Sequence, residues 1–384
     1  MTDRLYYQDA YLREFRARVV DRAEEGRRIY LDRTAFYPTS GGQPFDTGLL
    51  DGVDVVEVAD EDGRIAHVLA EPLAGEEVAG EIDWHRRYDH MQQHTGQHLL
   101  SAVLEELFHF PTLSFHMSPE SSSIEIGAPA ISASQVERVE ERCAELAAEA
   151  RPVAIGFEEE AQGLRKASER SGTLRIISIR DFDRSACGGT HVRTTAETAP
   201  VLIRKLDKVR GNVRLEFVCG LRALRQARSD FRALAEIARL LSAPMEQAAG
   251  LIAAQIERIK SVEKLNQRLS VELAQREGRE RWAAAEPDDR GIRTAVERGP
   301  VDEAARVRAQ AFVAGGKAVF AVLCENPPSL LLACSADAGV HAGEKVKTAV
   351  TSVGGRGGGN AALAQGSAPV GTDLEALLHT ALSR

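Results

Sequence analysis

Apolar and polar positions change rhythm several times along this chain, and each change marks a different structural regime. Over the first eighty or so residues they alternate. Arg27-Arg-Ile-Tyr-Leu-Asp32 and Val53-Asp-Val-Val-Glu-Val58 read as half-buried strands, punctuated by Gly41, Gly42, Gly48, Gly52 and Gly63. This pattern predicts a small β-barrel over residues 1–82, with one short helix near residues 12–15. From Asp83 the rhythm becomes helical. Asp83 is placed to cap a helix from Trp84 to about Leu107, with Leu99, Leu100, Val103, Leu104 and Leu107 on its apolar face. A second helix is expected to open at Ser134, where Ser134-Gln-Val-Glu137 has capping-box spacing, and to run through Val139, Cys143 and Leu146. Strands are expected at 152–157, Leu174–Ile179 and 201–205, so 83–220 is predicted to be an α+β domain with helices packed on a sheet.

The segment 221–285 is helical and charged. One helix is predicted over 221–241, broken at Ser242-Ala-Pro244, where proline suits the first turn of the next helix. Ile252, Ile256, Ile259, Val262, Leu265, Leu269 and Leu273 then recur at three- and four-residue steps, the pattern of a helical hairpin or coiled-coil arm. Such a stripe serves equally for packing on the chain's own domain or for an intermolecular seam. From 286 to 384 a separate unit follows. In it 318–323 and 330–334 read as buried strands, Gly354-Gly-Arg-Gly-Gly-Gly359-Asn360 as a glycine loop after a short helix, and Leu374–Leu382 as a closing helix. The fold class is thus α+β and multidomain.

Composition adds boundaries to this picture. A chain of 384 residues suits two or three domains, and 43% hydrophobic with 27% charged residues is the balance of a water-soluble globular protein. There is no apolar run of bilayer length, and Met1-Thr-Asp-Arg-Leu-Tyr-Tyr has no signal-peptide core, so a cytoplasmic protein without membrane contact is expected. Five scattered cysteines have no disulfide-scaffold spacing, and only Cys187 lies in a context that invites a metal. A net charge of −9 argues against indiscriminate nucleic-acid binding. Positive charge is concentrated in one stretch, where Arg204, Lys205, Lys208, Arg210, Arg214, Arg222, Arg225 and Arg228 face only Asp207 and Glu216. That stretch is either a phosphate-contacting surface or an ordinary charged exterior.

Two short motifs carry the chemistry. In His94-Thr-Gly-Gln-His98, residues four apart on a helix project from one face, so two imidazoles can reach one ion. In Cys187-Gly-Gly-Thr-His191, two glycines let the backbone turn until thiolate and imidazole converge. Either motif alone is commonplace, and His90, one turn before His94, shows how easily such spacing arises. Together they supply three nitrogens and one sulfur, a set that Zn2+ accepts in tetrahedral geometry. Thr95 stands where a zincin protease would carry its glutamate base, which excludes that class.

These motifs, with Phe36-Tyr-Pro-Thr-Ser-Gly-Gly-Gln43, resemble the hallmarks of the editing half of alanyl-tRNA synthetase. Thr112-Leu-Ser-Phe-His116 is closer to the free-standing alanyl-tRNA editing proteins, the AlaX family. Lys208-Val-Arg-Gly-Asn-Val-Arg214 also matches, and the glycine run is similar to the C-terminal DHHA1 domain, so the resemblance points to the long form and makes 286–384 a DHHA1-like α/β domain. Glu197-Thr-Ala-Pro200 departs from the isoleucine and glycine common in the family.

The resemblance implies zinc-dependent hydrolysis of serine, and possibly glycine, from tRNA(Ala). With the barrel beginning almost at Met1, editing in trans is expected. Catalytic roles are expected for Thr95, Ser114 and His116, and contacts to tRNA or substrate for Gly41, Gly42, Gln43, Lys208, Arg210, Arg214, Gly357 and Gly358. The expected zinc ligands are His94, His98, Cys187 and His191. An apolar pocket barely separates serine from alanine, whereas one that hydrogen-bonds the hydroxyl discriminates by roughly 10⁴-fold. Thr39, Thr95, Gln97, Ser114 and His116 are candidates for that contact. Ser114 and His116 come first, because they alternate with Leu113 and Phe115. A homodimer through the helical arm or the C-terminal domain is also implied. The competing readings are an editor of another aminoacyl-tRNA, a different zinc hydrolase, and a non-catalytic tRNA- or protein-binding adaptor with structural zinc.

Overall fold

Strand alternation in the first eighty residues produces eight strands. They are β1 (Asp3–Arg4), β2 (Glu14–Ala23), β3 (Arg28–Leu31), β4 (Arg33–Thr34), β5 (Gly48–Leu50), β6 (Val53–Glu61), β7 (Arg64–Leu69) and β8 (Glu77–Ile82). The structure is a computed structural model that describes residues 1–167 and 172–383. The chain forms two compact units, Met1–Glu236 and Ile237–Arg384. In the first, β2, β3, β7, β6, β5 and β8 close in that order into a barrel, and β1 pairs in parallel with β4. Ile29, Leu31, Phe36, Leu50, Val58 and Ile65 fill the barrel core. The helix expected near residues 12–15 does not form. β2 starts at Glu14, and its alternation buries Phe15 and Ala17, with the Phe15 ring packed edge-on to Phe36 at 5.8 Å. The helical turn in this region is a short 3-10 turn at Leu5–Tyr7.

Asp83 caps α1 (Trp84–Phe108), accepting the Arg86 backbone N–H at 3.2 Å, and His109 ends the helix in the left-handed conformation. Every residue from His90 to Leu104 is buried, so this helix is the axis of the unit rather than a surface element. Leu99, Leu100, Val103 and Leu104 are fully buried with Ile124, Ile126, Val139, Leu146, Leu215 and Phe217, each side chain stabilising the fold by about 1.5–3 kcal/mol.

After α1 come β9 (Thr112–Met117), β10 (Ser122–Ile126), α2 (Ala133–Ala148), β11 (Val153–Glu158), β12 (Leu174–Ile179), β13 (Asp183–Ala186), β14 (Val201–Val209), β15 (Asn212–Cys219) and α3 (Gly220–Leu241). The strands make a four-stranded antiparallel sheet, β14-β15-β10-β9, and a three-stranded one, β11-β12-β13. The capping box of α2 lies two residues before the expected one. Ser132 is extended and exchanges bonds with Gln135, which leaves Ser134 inside the first turn.

The second unit holds α4 (Ala248–Ala284), β16 (Arg293–Arg298), α5 (Glu303–Val313), β17 (Ala318–Glu325), β18 (Pro328–Cys334), α6 (Ala342–Ser352), β19 (Arg356–Gly359), β20 (Leu363–Ser367) and α7 (Leu374–Leu382). Its sheet runs β16-β17-β18-β20-β19, parallel only at β16–β17. Pro244 precedes a 3-10 turn, Met245–Gln247, rather than lying inside α4. The glycine run is not wholly a loop. Arg356–Gly359 is an edge strand in which a Cβ on Gly357 or Gly359 would press into β20, so these glycines serve close strand packing. Ala274 and Gly278 of α4 are buried, whereas Ile252, Ile256, Ile259, Val262, Leu265, Leu269 and Leu273 are exposed. Among the described residues, no helix is long and apolar enough to cross a membrane.

Candidate metal centre

Helix spacing puts His94 and His98 on one face of α1, their ring centroids 5.4 Å apart. The turn after β13 brings Cys187 and His191 to the same place. The donor atoms of His94, His98, Cys187 and His191 all lie within 4.8 Å of one another. Cys187 Sγ is 3.3 Å from His94 Nε2 and 3.4 Å from His191 Nε2. A tetrahedron built on zinc–ligand bonds has edges of about 3.3–3.8 Å, so these two edges already fit. Glycine is required at Gly189, where a Cβ would overlap the His94 ring.

Two imidazoles are bonded through their other nitrogen, and the third faces a carboxylate. Gln43 Oε1 accepts from His94 Nδ1 at 2.8 Å, Thr95 Oγ1 stands 3.1 Å from His191 Nδ1, and Asp183 Oδ2 lies 3.5 Å from His98 Nδ1. These partners are themselves held. Gln43 donates to Thr190 Oγ1 and accepts its backbone N–H; Thr95 Oγ1 accepts the Val192 N–H; Asp183 is paired with Arg165 at 2.8 Å and accepts from Ser185. Such partners fix the tautomer and ring orientation of a metal-bound histidine. The donor set therefore fits zinc in both chemistry and orientation. Burial opposes the Cys187 thiolate, but His94 and His191 outweigh it and hold the thiol pKa well below its ordinary value. Burial pushes His191 down to about 3. Burial also depresses His98, yet Asp183 and Cys187 prevail and raise it to about 9.

Gln43 reaches the cluster from the barrel. Ser40 and Gln43 bond to each other's backbone across Gly41 and Gly42, both with positive φ, which makes a tight two-residue hairpin turn. Gly42 O accepts from Met117 N, and a Cβ on Gly42 would meet the Phe115 carbonyl at 2.6 Å. The loop lies against β9 for that reason. Arg87, fully buried, anchors the same loop by donating to both Asp46 oxygens and to the carbonyls of Ala10 and Ala35.

Comparison with known proteins supplies the family. Residues 174–216 match the family model described as the threonyl and alanyl tRNA synthetase second additional domain. The chain is 38% identical to the alanyl-tRNA editing protein AlaX-M of Pyrococcus horikoshii over 56% of its own length and 97% of that protein. The chain belongs to the alanyl-tRNA editing protein family. It is also 39% identical to AlaX-L of Pyrococcus horikoshii, over 58% of its own length, and 30% identical to an alanine–tRNA ligase of Pyrobaculum neutrophilum, over 95%. It spans only 59% and 42% of those two proteins.

The remaining residues expected at an editing site are distributed unevenly. Thr95 is fully buried with its oxygen committed to His191 and Val192. Phe115 turns inward, its ring 5.3 Å from that of His94. Strand alternation therefore sends Ser114 and His116 to the other face, where both are exposed, and the structure does not bring them to the cluster. Thr39 is exposed on the barrel, bonded to the Phe45 N–H. Gln97, buried on α1 just before His98, donates to Ser101 Oγ, which also accepts from Thr112. Lys208, Arg210 and Arg214 are exposed around the tip of the β14–β15 hairpin. The basic stretch is partly neutralised. Arg204 pairs with Asp230 and Lys205 with Asp207, while Arg222 is buried against Asp89. Gly357 and Gly358 lie in the second unit, on β19. Asp183 and Arg87 lie outside any motif singled out in the sequence, and no local spacing marks them.

Proposed function

We propose that this chain is a zinc-dependent aminoacyl-tRNA deacylase that acts in trans on tRNA(Ala) carrying serine or glycine. The observation that carries this reading is the convergence of three imidazoles and one thiolate, with Gln43 and Thr95 bonded to two of the imidazoles and the Asp183 carboxylate 3.5 Å from the third. The relatives named as alanyl-tRNA editing proteins support the substrate class. His94, His98, Cys187 and His191 would hold the zinc, which supplies Lewis acidity toward the ester or a point of attachment for the substrate. Four protein donors suit substrate positioning more than water activation. An aminoacyl ester is already reactive, so orientation accounts for much of what is required.

The chain's own residues then do the selecting. Phe115 gives the site an apolar wall beside His94. We assign the serine hydroxyl to Gln97, since Ser114 and His116 are exposed and Thr95 is held by two partners; Gln97 would exchange its bond to Ser101 for the substrate hydroxyl. Gly41 and Gly42 shape the barrel side of the pocket. Lys208, Arg210 and Arg214 meet the tRNA backbone. The division of labour follows the four segments: barrel (1–82), zinc-binding editing domain (83–220), helical arm (221–285) and DHHA1-like domain (286–384). Gly357 and Gly358 belong to the last and contribute to tRNA contact. The exposed α4 stripe is the seam of a homodimer, and the protein works in the cytoplasm.

A second reading, an adaptor with structural zinc, draws on the same four-donor set, which is typical of closed structural sites. Deacylation of serine-charged tRNA(Ala), measured with zinc present and removed, separates them. The proposal expects zinc-dependent release of serine. Binding of tRNA without ester cleavage would favour the adaptor.

A further inference from the structure

Behind the thiolate lies Arg175, on β12, the middle strand of its sheet and only 7% exposed. Its backbone carbonyl accepts the Cys187 N–H at 3.0 Å. Its Nη1 donates to the carbonyls of Cys187 at 2.7 Å and Gly189 at 3.0 Å. Its Nε donates to the Tyr7 carbonyl at 3.1 Å, and the guanidinium lies over the Tyr7 ring, 5.1 Å from its centroid. One residue therefore holds the Cys187-Gly-Gly turn at three backbone points.

The rest of the guanidinium is unmatched. Arg175 Nη2 is buried without a hydrogen-bond partner, and among the described residues no ion pair joins Arg175 to an aspartate or glutamate. A buried arginine ordinarily has a carboxylate, as Arg87 has Asp46. Cys187, whose own carbonyl Arg175 Nη1 holds at 2.7 Å, is the one anionic donor in the cluster.

We propose that Arg175 is a positioning residue of the metal centre: its fork fixes the direction in which Cys187 presents sulfur, and its unmatched charge draws electron density from that thiolate. A poorer thiolate donor leaves the bound metal more electrophilic, which suits polarising an ester. The inference rests on the metal-dependent reading above but concerns how the ligand is held, so it is tested without aminoacyl-tRNA.

The experiment uses Co(II) as probe in the full chain, with affinity read by chelator competition and the thiolate-to-cobalt charge-transfer band by absorption. Arg175→Gln is expected to bind Co(II) about 10–100-fold more weakly, the lost hold on the Cys187 turn outweighing the stronger bond of a richer thiolate. Its band should move to longer wavelength, because loss of the nearby charge raises the sulfur donor level. Arg175→Lys keeps the charge without the fork, so its band should stay at the wild-type wavelength while affinity still falls. Wild-type affinity and band in Arg175→Gln would overturn the proposal. If circular dichroism shows that Arg175→Gln does not fold, Arg175→Lys decides, and wild-type affinity there overturns it. A wild-type chain with no thiolate-to-cobalt band would instead remove the metal reading itself.

Discussion

Gln43 offers the sharpest perturbation of the site from outside the ligand set. Its side chain is fully buried, and its Oε1 satisfies two donors, His94 Nδ1 and the Thr190 N–H, while its amide donates to Thr190 Oγ1. Gln43→Ala orphans both donors. Each buried unsatisfied donor costs about 1–3 kcal/mol, part of which a water entering the vacated space recovers, so we expect a loss of about 2–4 kcal/mol in the stability of the first unit. His94 also loses the group that fixes its tautomer. Loss of such a partner weakens metal binding about 10–100-fold, or about 1.4–2.7 kcal/mol. Gln43→Glu keeps the acceptor and lets the Thr190 hydroxyl donate instead, so its affinity should stay within about threefold of wild type. Zinc affinity by chelator competition and stability by urea titration give the two numbers. Wild-type zinc affinity in folded Gln43→Ala would refute the claim that the barrel loop aims His94.

Other expectations follow from the same geometry. Gly189→Ala should retain its fold yet lose zinc, because the new methyl overlaps the His94 ring; zinc content by elemental analysis checks this. Asp46→Asn leaves the Arg87 charge buried without its partner and should cost about 3–5 kcal/mol by urea unfolding; a cost below about 1 kcal/mol would contradict the anchoring role. His67 is buried in the barrel, and burial lowers its pKa from 6.5 to about 4. The unfolded chain takes up this proton first as pH falls, so the contribution is whole above pH 6.5 and is lost as pH falls through about 4, a change of about 3 kcal/mol. The difference in acid sensitivity between wild type and His67→Gln measures it, and identical pH profiles would show the assignment to be mistaken. Gln97→Ala should lose serine release by about 10²-fold or more while still binding zinc; unchanged serine release would exclude Gln97 as reader of the hydroxyl.

The parts of this molecule that follow local rules were legible in the sequence. Asp83 caps α1 as its position demands, and His94 with His98 need only the helical repeat to share a face. Cys187 and His191 are joined through Gly188 and Gly189, yet neither glycine has a positive φ, and Gly189 is needed for its close approach to the His94 ring. What failed to show depends on closure between distant segments. Gln43 meets His94 across 51 positions and Asp183 meets His98 across 85, and no spacing rule reaches that far. Alternation separates Ser114 and His116 from Phe115 but does not say which residue meets α1; Phe115 lies beside His94, while Ser114, His116 and Leu113 are exposed. The capping-box spacing at Ser134 misplaces the start of α2 by two residues, because Ser132 has the extended backbone and exchanges the bonds with Gln135. The glycines of β19 suggested a loop, whereas close strand packing is what requires them.

The most direct measurement is release of serine from serine-charged tRNA(Ala) by the purified chain, alongside Cys187→Ala, with bound metal quantified in each preparation. One zinc per wild-type chain is expected, with rapid release that a chelator stops and added zinc restores, and neither metal nor activity in the variant. Full activity in a zinc-free Cys187→Ala preparation would contradict that expectation.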